Sequence, residues 1–161
     1  VSTASRFALS LMPEAAIDSH PSGWSYRAGV ARYVIDAPTL LHLVADDIVV
    51  GAAHQLVAPN LIRSQALSLL LAAVRAGELT EEVALQRHER ITEIKLRLLG
   101  DRVSRRTAWK IAREHGWENT FDAEYLAVCV LQADALITID ETLAAKAAHI
   151  VPLATLGALV G

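Results

Sequence analysis

The sequence predicts an α/β fold in which a short parallel sheet is flanked by helices. Short apolar runs typical of buried strands recur along the chain, at Val30–Ile35, Leu56–Ala58 and Ala135–Ile139. Longer segments with helical periodicity separate these runs. Because strands that alternate with helices form parallel sheets covered on both faces, this order predicts a layered α/β domain.

The composition limits the class of protein and its partners. The chain has 161 residues, of which 53% are hydrophobic and 20% charged, so it is not largely disordered and can bury one real core. No run approaches the ~20 apolar residues that cross a bilayer, so we expect a soluble protein with no membrane partner. The single cysteine, Cys129, is expected as a core thiol, and a cytoplasmic location is the default. With a net charge of −3, nucleic acid would have to be held by a local basic patch or a bridging metal.

Sequence patterns divide the chain at about residue 30. Residues 1–29 show no sustained periodicity, and we interpret them as an N-terminal extension or linker. The domain proper spans residues 30–161 and opens with the strand Val30–Ile35, which ends at Asp36. Two short helical turns are expected before the next strand, at Leu40–Val44 and Ile48–His54.

The middle of the domain is predicted to be helical. After the strand Leu56–Ala58, Asn60 is the expected cap of a helix over Leu61–Arg75, in which nearly every residue is apolar. We therefore expect a buried helix with one narrow polar stripe. Thr80–Glu82 begins the next helix, which is predicted to run towards Leu99.

A shorter helix with a basic face follows at Arg102–Arg113. Its cationic side chains are Arg102, Arg105, Arg106, Lys110 and Arg113. This face is equally well explained as a track for RNA phosphates or as a solvated helix surface. The remaining predicted elements are a helix starting near Asp122, the strand Ala135–Ile139, a helix through Ala144–Ala148 and a final strand at Ile150–Val151.

Three aspartates stand where α/β sheets bind ligands. Asp36 and Asp140 each follow a predicted strand, and Asp122 lies near the start of a helix. Ligands collect outside the carboxyl ends of parallel strands, and a helix N-terminus favours an ionised carboxylate. Uncompensated carboxylates repel one another strongly, so such clusters usually persist because a cation binds them. Oxygen ligands without Cys or His predict Mg²⁺ or Mn²⁺.

Each aspartate has a simpler explanation when it is taken alone. Asp36 and Asp122 would be helix caps, and Asp140 would be a turn residue. We favour that explanation for any single aspartate and the metal site for the three in combination. Thr138, in the strand before Asp140, would either orient water or a scissile phosphate or serve a structural role, which is commoner for a mid-strand threonine.

These motifs resemble those of the PIN-domain ribonucleases, and most closely the VapC-type toxins of bacterial toxin–antitoxin pairs. The similarity covers about Arg32 to the C-terminus. The matching blocks are Val34–Asp36, the helix entry at Ala58–Pro59, Phe121–Ala127 and Leu136–Asp140. The resemblance implies a PIN-like three-layer sandwich and a Mg²⁺- or Mn²⁺-dependent endoribonuclease, usually dimeric and inhibited by a small cognate antitoxin. Asp36, Asp122 and Asp140 match the acidic positions of the family.

Gln65 departs from the family pattern. The family carries a glutamate six residues beyond the proline, on the helix after the second strand, and this chain has Gln65 there. Glutamine offers a neutral oxygen to Mg²⁺ but supplies neither charge nor a base. The sequence therefore also allows a catalytically weakened PIN module that binds RNA or an antitoxin. A metal-dependent phosphatase or receiver-like domain is less well supported, because the sequence lacks an Asp-x-Asp motif and a suitable phospho-acceptor arrangement.

The aliphatic helices also predict partners. Leu61–Arg75 carries more apolar side chains than one small core needs to bury. We therefore expect a homodimer and an apolar groove for an antitoxin segment beside the acidic site, with RNA as the substrate.

Overall fold

Four short parallel strands form the centre of the fold. The computed structural model describes residues 30–161, and the sheet order is β3-β2-β1-β4 with every pairing parallel. In the centre, Val34 of β1 lies opposite Val57 of β2 on one side and Leu136 of β4 on the other. The strands are β1 (Arg32–Ile35), β2 (Gln55–Pro59), β3 (Leu96–Leu99) and β4 (Ala135–Ile137). The predicted α/β fold with a parallel sheet is confirmed.

Helices cover the sheet in two groups, which gives a three-layer sandwich. Helices α1, α2 and α3 contact one another, whereas α5 contacts β1, β2 and β4 and carries α4 on its outer side. Within residues 30–161, no helix is both long and apolar enough to span a membrane. The helices are α1 (Ala37–Ala45), α2 (Leu61–Arg75), α3 (Glu81–Glu93), α4 (Arg102–Glu114), α5 (Phe121–Gln132) and α6 (Glu141–Ala147), followed by a 3₁₀ turn at Leu156–Leu159.

The core is formed by the strands, by α5 and by the inner residues of α1 and α2. Helix α5 buries Ala123 and every residue from Tyr125 to Cys129, and most residues of β1, β2 and β4 are buried as well. Parallel strands covered on both faces become continuous apolar runs, which is why the sequence identified them. Cys129 is a core thiol as predicted, and burial raises its pKa to about 12.

The predicted extension of the third helix to Leu99 is wrong. Helix α3 ends at Glu93, Ile94 is extended, and Leu96–Leu99 forms the edge strand β3 beside β2. Arg97 is the exposed residue in this strand. A four-residue apolar segment fits helix and strand periodicity equally well, and only pairing with β2 decides between them.

The prediction that Leu61–Arg75 is a buried helix is also wrong. Helix α2 has the expected bounds, but its buried residues are the single stripe Ile62, Ala66 and Leu70. An outer helix contacts its neighbours along one stripe, so the remaining apolar residues face outwards. The large exposed ones are Leu67, Leu69 and Leu71, which are 48%, 41% and 54% exposed.

Smaller differences concern the ends of elements. One helix, α1, replaces the first expected turn, and residues 48–54 are not helical. Instead of a strand at Ile150–Val151, the chain makes a single bridge between Leu153 and Leu136 of β4, and β4 ends at Ile137. Asn60 precedes α2 without a side-chain cap hydrogen bond. The extension assigned to residues 1–29 lies outside the described residues.

Candidate functional site

Asp36 joins β1 to α1 at the carboxyl end of the sheet and is only 2% exposed. Its Oδ1 caps α1 by accepting hydrogen bonds from the backbone N–H of Thr39 at 3.2 Å and from the Thr39 hydroxyl. Its Oδ2 accepts a hydrogen bond from the Thr138 hydroxyl at 2.6 Å, just beyond β4. The ends of two adjacent strands therefore meet at one buried carboxyl group, as expected for a parallel sheet.

The environment of Asp36 disfavours its ionised form. Burial raises the pKa of this carboxyl, hydrogen bonds from Thr138 and Thr39 oppose the increase, and the negative charge of Asp140 adds to it. Desolvation of a carboxylate is costly unless donors or cations compensate it. Here the donors are two hydroxyls and one backbone N–H.

Two threonines tie Asp36 to the segment after β4. The Thr39 Oγ1 accepts a hydrogen bond from the backbone N–H of Ile139 at 3.1 Å, and the Thr138 Oγ1 accepts one from the N–H of Asp140 at 3.0 Å. Each hydroxyl therefore donates to Asp36 while accepting from the neighbouring loop. Thr138 has the structural role that the sequence left open, and its contact with RNA stays a prediction.

Asp140 is the N-cap of α6. Its Oδ1 accepts hydrogen bonds from the backbone N–H groups of Thr142 at 2.8 Å and Leu143 at 3.3 Å. It is half-buried, and its charge raises the pKa of Asp36, so the two carboxyl groups lie within electrostatic reach of each other. The structure therefore brings these two predicted site residues to the same edge of the sheet.

Asp122 lies in the first turn of α5 and has a cation of its own. Its Oδ2 is 2.7 Å from the Nζ of Lys146 on α6, and the two side chains are 35% and 37% exposed. The same ammonium lies 5.1 Å from the centre of the Trp117 ring, in the loop before α5. Lys146 thus bridges Asp122 and an aromatic face, which the sequence analysis did not foresee.

Gln65 is connected to the acidic site by a hydrogen bond from Tyr125. The Tyr125 hydroxyl donates a hydrogen bond to the Gln65 Oε1 at 2.6 Å, and this tyrosine is only 2% exposed. Burial raises the tyrosine pKa, and the charges of Asp36 and Asp122 raise it further. The phenol therefore stays protonated and donates its hydrogen bond to Gln65.

The donor atoms of these residues suit a hard divalent cation, whereas their arrangement in the structure does not form a complete site for one. Carboxylate and amide oxygens are the ligands that Mg²⁺ and Mn²⁺ prefer. Within the part of the chain that the structure describes, however, no three or more His, Cys, Asp or Glu side chains are grouped so as to hold a metal ion. Asp122 would have to exchange Lys146 for the metal. The convergence of Asp36, Asp122 and Asp140 on one ion therefore stays a prediction.

The residues that are predicted to contact RNA all lie on α4, apart from Thr138, which lies beside Asp36. All five basic side chains of α4 are exposed, and α4 packs on α5, the helix that carries Asp122. The basic side chains are Arg102, Arg105, Arg106, Lys110 and Arg113.

The sequence analysis missed several residues that the structure brings into play. Thr39 had a local signal, because it stands three residues after Asp36, where an N-cap side chain binds the backbone. Lys146 had none, since 24 residues separate it from Asp122. The burial of Tyr125 in the core was predictable from its place on α5, but its hydrogen bond to Gln65, 60 residues away, was not. Trp109, an exposed aromatic residue among the arginines of α4, was detectable by helical spacing.

No family model and no curated protein sequence matches the chain. Among solved structures, the crystal structure of PAE2754 from Pyrobaculum aerophilum is similar, with a TM-score of 0.63 and 22% sequence identity. The match covers 81% of this chain and 95% of PAE2754. At this identity the likeness shows the fold alone, and it agrees with the layered α/β arrangement.

Proposed function

We propose that this chain is a Mg²⁺- or Mn²⁺-dependent endoribonuclease that hydrolyses RNA phosphodiester bonds as the toxin of a type II toxin–antitoxin module. One observation carries the proposal: Asp36 is a buried carboxyl group that lies at the joint carboxyl ends of β1 and β4, with Asp140 nearby. Perturbed acids at a ligand-binding edge of a sheet are candidates for functional residues.

A helix cap does not by itself explain the burial of Asp36. An exposed aspartate caps a helix equally well, because it needs only to reach the N–H groups of the first turn. Burial adds a desolvation penalty, and the adjacent Asp140 adds repulsion. A divalent cation at this edge would offset both, which is why we favour a metal-dependent activity.

Each residue has a specific role in the proposed reaction. Asp36 and Asp140 would hold the cation, joined by Asp122 after it releases Lys146. Bound Mg²⁺ supplies a lowered pKa for its water and a positive charge for the developing phosphorane. Thr39 and Thr138 hold the Asp36 carboxyl in a fixed orientation. Tyr125 is buried within electrostatic reach of Asp36 and Asp122 and holds Gln65 by a hydrogen bond.

The partners in this proposal are a small antitoxin protein and a second copy of the chain, in the bacterial cytoplasm. The exposed leucines of α2 support an interaction surface, because a surface helix normally presents polar residues outwards. Leu67, Leu69 and Leu71 are the residues on which we expect such contacts to depend.

A catalytically weakened module that still binds RNA or an antitoxin is the second candidate. The observation in its favour is that the Gln65 side chain is uncharged and that its Oε1 already accepts a hydrogen bond from the Tyr125 hydroxyl. Such a protein would bind RNA without cleaving it.

Cleavage of a mixed RNA pool, with and without Mg²⁺ or Mn²⁺, tests the proposal. We expect metal-dependent fragments from the parent protein and none from Asp36→Asn, whereas Asp101→Asn, an exposed aspartate on α4, should behave as the parent does. Cleavage that persists in Asp36→Asn would refute the site. Binding without cleavage under every metal condition would favour the weakened module.

A further inference from the structure

Trp109 is the most exposed large aromatic residue within the described part of the chain. It is 66% exposed on α4, and Val103 on the same helix is 57% exposed. The core contacts of α4 come from a different face, where Ser104, Ala108, Ile111 and Ala112 are buried. The indole therefore contributes little to packing, and its role must be sought on the outer surface.

Cations surround this indole at helical spacing. Arg105 and Arg106 precede Trp109 by four and three residues, and Arg113 follows it by four. Side chains at these separations are neighbours on a helix surface. Lys110 is partly neutralised, because its Nζ lies 3.8 Å from Glu114 Oε1. The charge of Arg105 interacts with that of Asp101, whereas Arg106 and Arg113 form no salt bridge with the acids of residues 30–161.

An open depression of about 450 Å³ lies beside the indole. Its lining consists of Val103, Arg106, Thr107, Trp109 and Lys110. It combines two apolar side chains, Val103 and Trp109, with two cationic ones, Arg106 and Lys110. A flat, uncharged group flanked by anions would fit this surface by both shape and charge.

We propose that α4 is a docking platform for single-stranded RNA, in which Trp109 stacks on one base while Arg105, Arg106 and Arg113 contact the flanking phosphates. This inference rests on the proposed ribonuclease function and names the form of its substrate. Nucleic-acid surfaces without sequence preference combine cations for the backbone with aromatic faces for the bases. Only unpaired bases expose their faces to an aromatic side chain, because in a duplex they are stacked on one another.

A short loop joins α4 to α5, the helix that carries Asp122. In this loop the rings of His115 and Trp117 stack with centres 5.4 Å apart. Trp117 in turn lies under Lys146, which contacts Asp122. At 1.5 Å per residue, Trp109 lies only about 9 Å along the helix from His115. A strand that stacks on Trp109 and extends towards the C-terminal end of α4 would approach the loop that carries these rings.

The test is the binding of a labelled, mixed-sequence RNA to the full chain without divalent metal, measured by fluorescence anisotropy. Trp109→Ala should weaken binding of the single strand by roughly 5- to 100-fold, the range for loss of one base–aromatic stack. Trp109→Phe should restore most of it. Leu85→Ala, which removes another exposed apolar side chain on α3, should have no effect.

A duplex and an acidic peptide serve as competing ligands. We expect the duplex to bind more weakly than the single strand and to be little affected by Trp109→Ala. The proposal is overturned if Trp109→Ala binds the single strand as the parent does, or if the substitution weakens only the binding of poly-glutamate, which would indicate an acidic protein partner. Arg106→Gln supplies an independent measure, since loss of one phosphate contact should reduce the slope of log Kd against log salt by about 0.7.

The result separates this inference from the ribonuclease proposal. If no metal produces cleavage but Trp109 still governs single-strand binding, the platform stands and the enzyme does not. If the parent cleaves RNA and Trp109→Ala leaves both binding and KM unchanged, the enzyme stands and the platform does not.

Discussion

Asp36 and Asp101 perform the same local task in opposite environments. Asp36 Oδ1 accepts the backbone N–H of Thr39 at 3.2 Å to cap α1, and Asp101 Oδ1 accepts that of Ser104 at 2.8 Å to cap α4. Burial raises the pKa of Asp36, whereas the hydrogen bonds from Ser104 lower the pKa of the exposed Asp101.

The comparison distinguishes Asp101, whose negative charge stabilises the fold, from Asp36, whose negative charge destabilises it. Asp101 gains from ionisation, because its charge interacts with free N–H groups and remains in water. Asp36 makes the same cap bond but is desolvated beside Asp140. Functional sites commonly retain residues that reduce stability, and this is the reason for which we propose a functional role for Asp36 and only a structural one for Asp101.

The largest expected difference is in catalysis. Asp36→Asn should lower metal-dependent RNA cleavage by more than the roughly 10- to 100-fold that loss of an outer-shell partner costs a metal site. Asp101→Asn should leave the rate within about twofold, because its carboxylate caps α4 away from the pocket. Initial rates with Mn²⁺ measure both. Equal losses in the two variants would remove the distinction between the caps.

Gln65→Glu should add one negative charge to the surroundings of Asp36. At ~4 Å and an effective dielectric of ~20 a new carboxylate attracts a unit charge by roughly 4 kcal/mol before desolvation, so a net gain of about one to two orders of magnitude in Mn²⁺ affinity is expected. RNA cleavage should rise with it, and the metal-free variant should melt at a lower temperature. Gln86→Glu, on the exposed surface of α3, is the control. Calorimetric titration that finds both variants equal to the parent would place Gln65 outside the reach of the ion.

Lys146→Met tests whether the ion pair with Lys146 keeps Asp122 from binding the metal ion. The Lys146–Asp122 pair is more than one-third exposed, and such pairs contribute about 0–1 kcal/mol. Removing the ammonium should therefore raise Mn²⁺ affinity by no more than about fivefold, since Asp122 no longer has to exchange partners. Lys110→Met breaks the comparable pair with Glu114 and should change nothing. Weaker metal binding in Lys146→Met would show that the lysine assists the site.

The smallest effect is in the pH dependence of stability without metal. Because the folded pKa of Asp36 is raised, its contribution is fully present below the unfolded value of 3.8 and is lost as the pH rises through the folded pKa. Asp36→Asn should therefore melt a few degrees higher than the parent at pH 7, and the gap should close towards pH 4.

Asp101 provides the opposite sign. Its lowered pKa contributes stability above 3.8 that is lost as the pH falls through the folded pKa. Asp101→Asn should therefore melt slightly lower than the parent at pH 7, and only slightly, because asparagine also caps helices. Thermal melts of the three proteins from pH 7 to pH 4 measure both gaps. Gaps of the same sign would contradict the assignment of opposite pKa shifts.

Local sequence was sufficient for the elements whose signals lie within a few residues. The strands β1, β2 and β4 were predicted from their apolar runs, and α2 and α4 were predicted within one residue of their ends. Gly77 and Gly116, with φ of 74° and 67°, stand just past those ends as expected for helix stops. Asp36 was likewise predictable as a cap, because a cap depends only on the next three residues. The simpler explanations of the other two acids were wrong, since Asp140 caps α6 instead of lying in a turn and Asp122 lies inside the first turn of α5 instead of capping it.

Tertiary packing decided everything that joins distant segments. Leu96–Leu99 became a strand because β2 offered an edge, and the leucines of α2 stayed exposed because only one stripe of that helix meets its neighbours. The pairing of Asp36 with Thr138 spans 102 residues, and that of Asp122 with Lys146 spans 24. Periodicity and capping act over three or four positions, so they determine which residues begin an element but not which charge or hydroxyl faces them. The sequence around each acid is therefore enough to identify it as a candidate. The hydroxyl donors of Asp36 and the Lys146 partner of Asp122, which distinguish these acids from each other, depend on the fold.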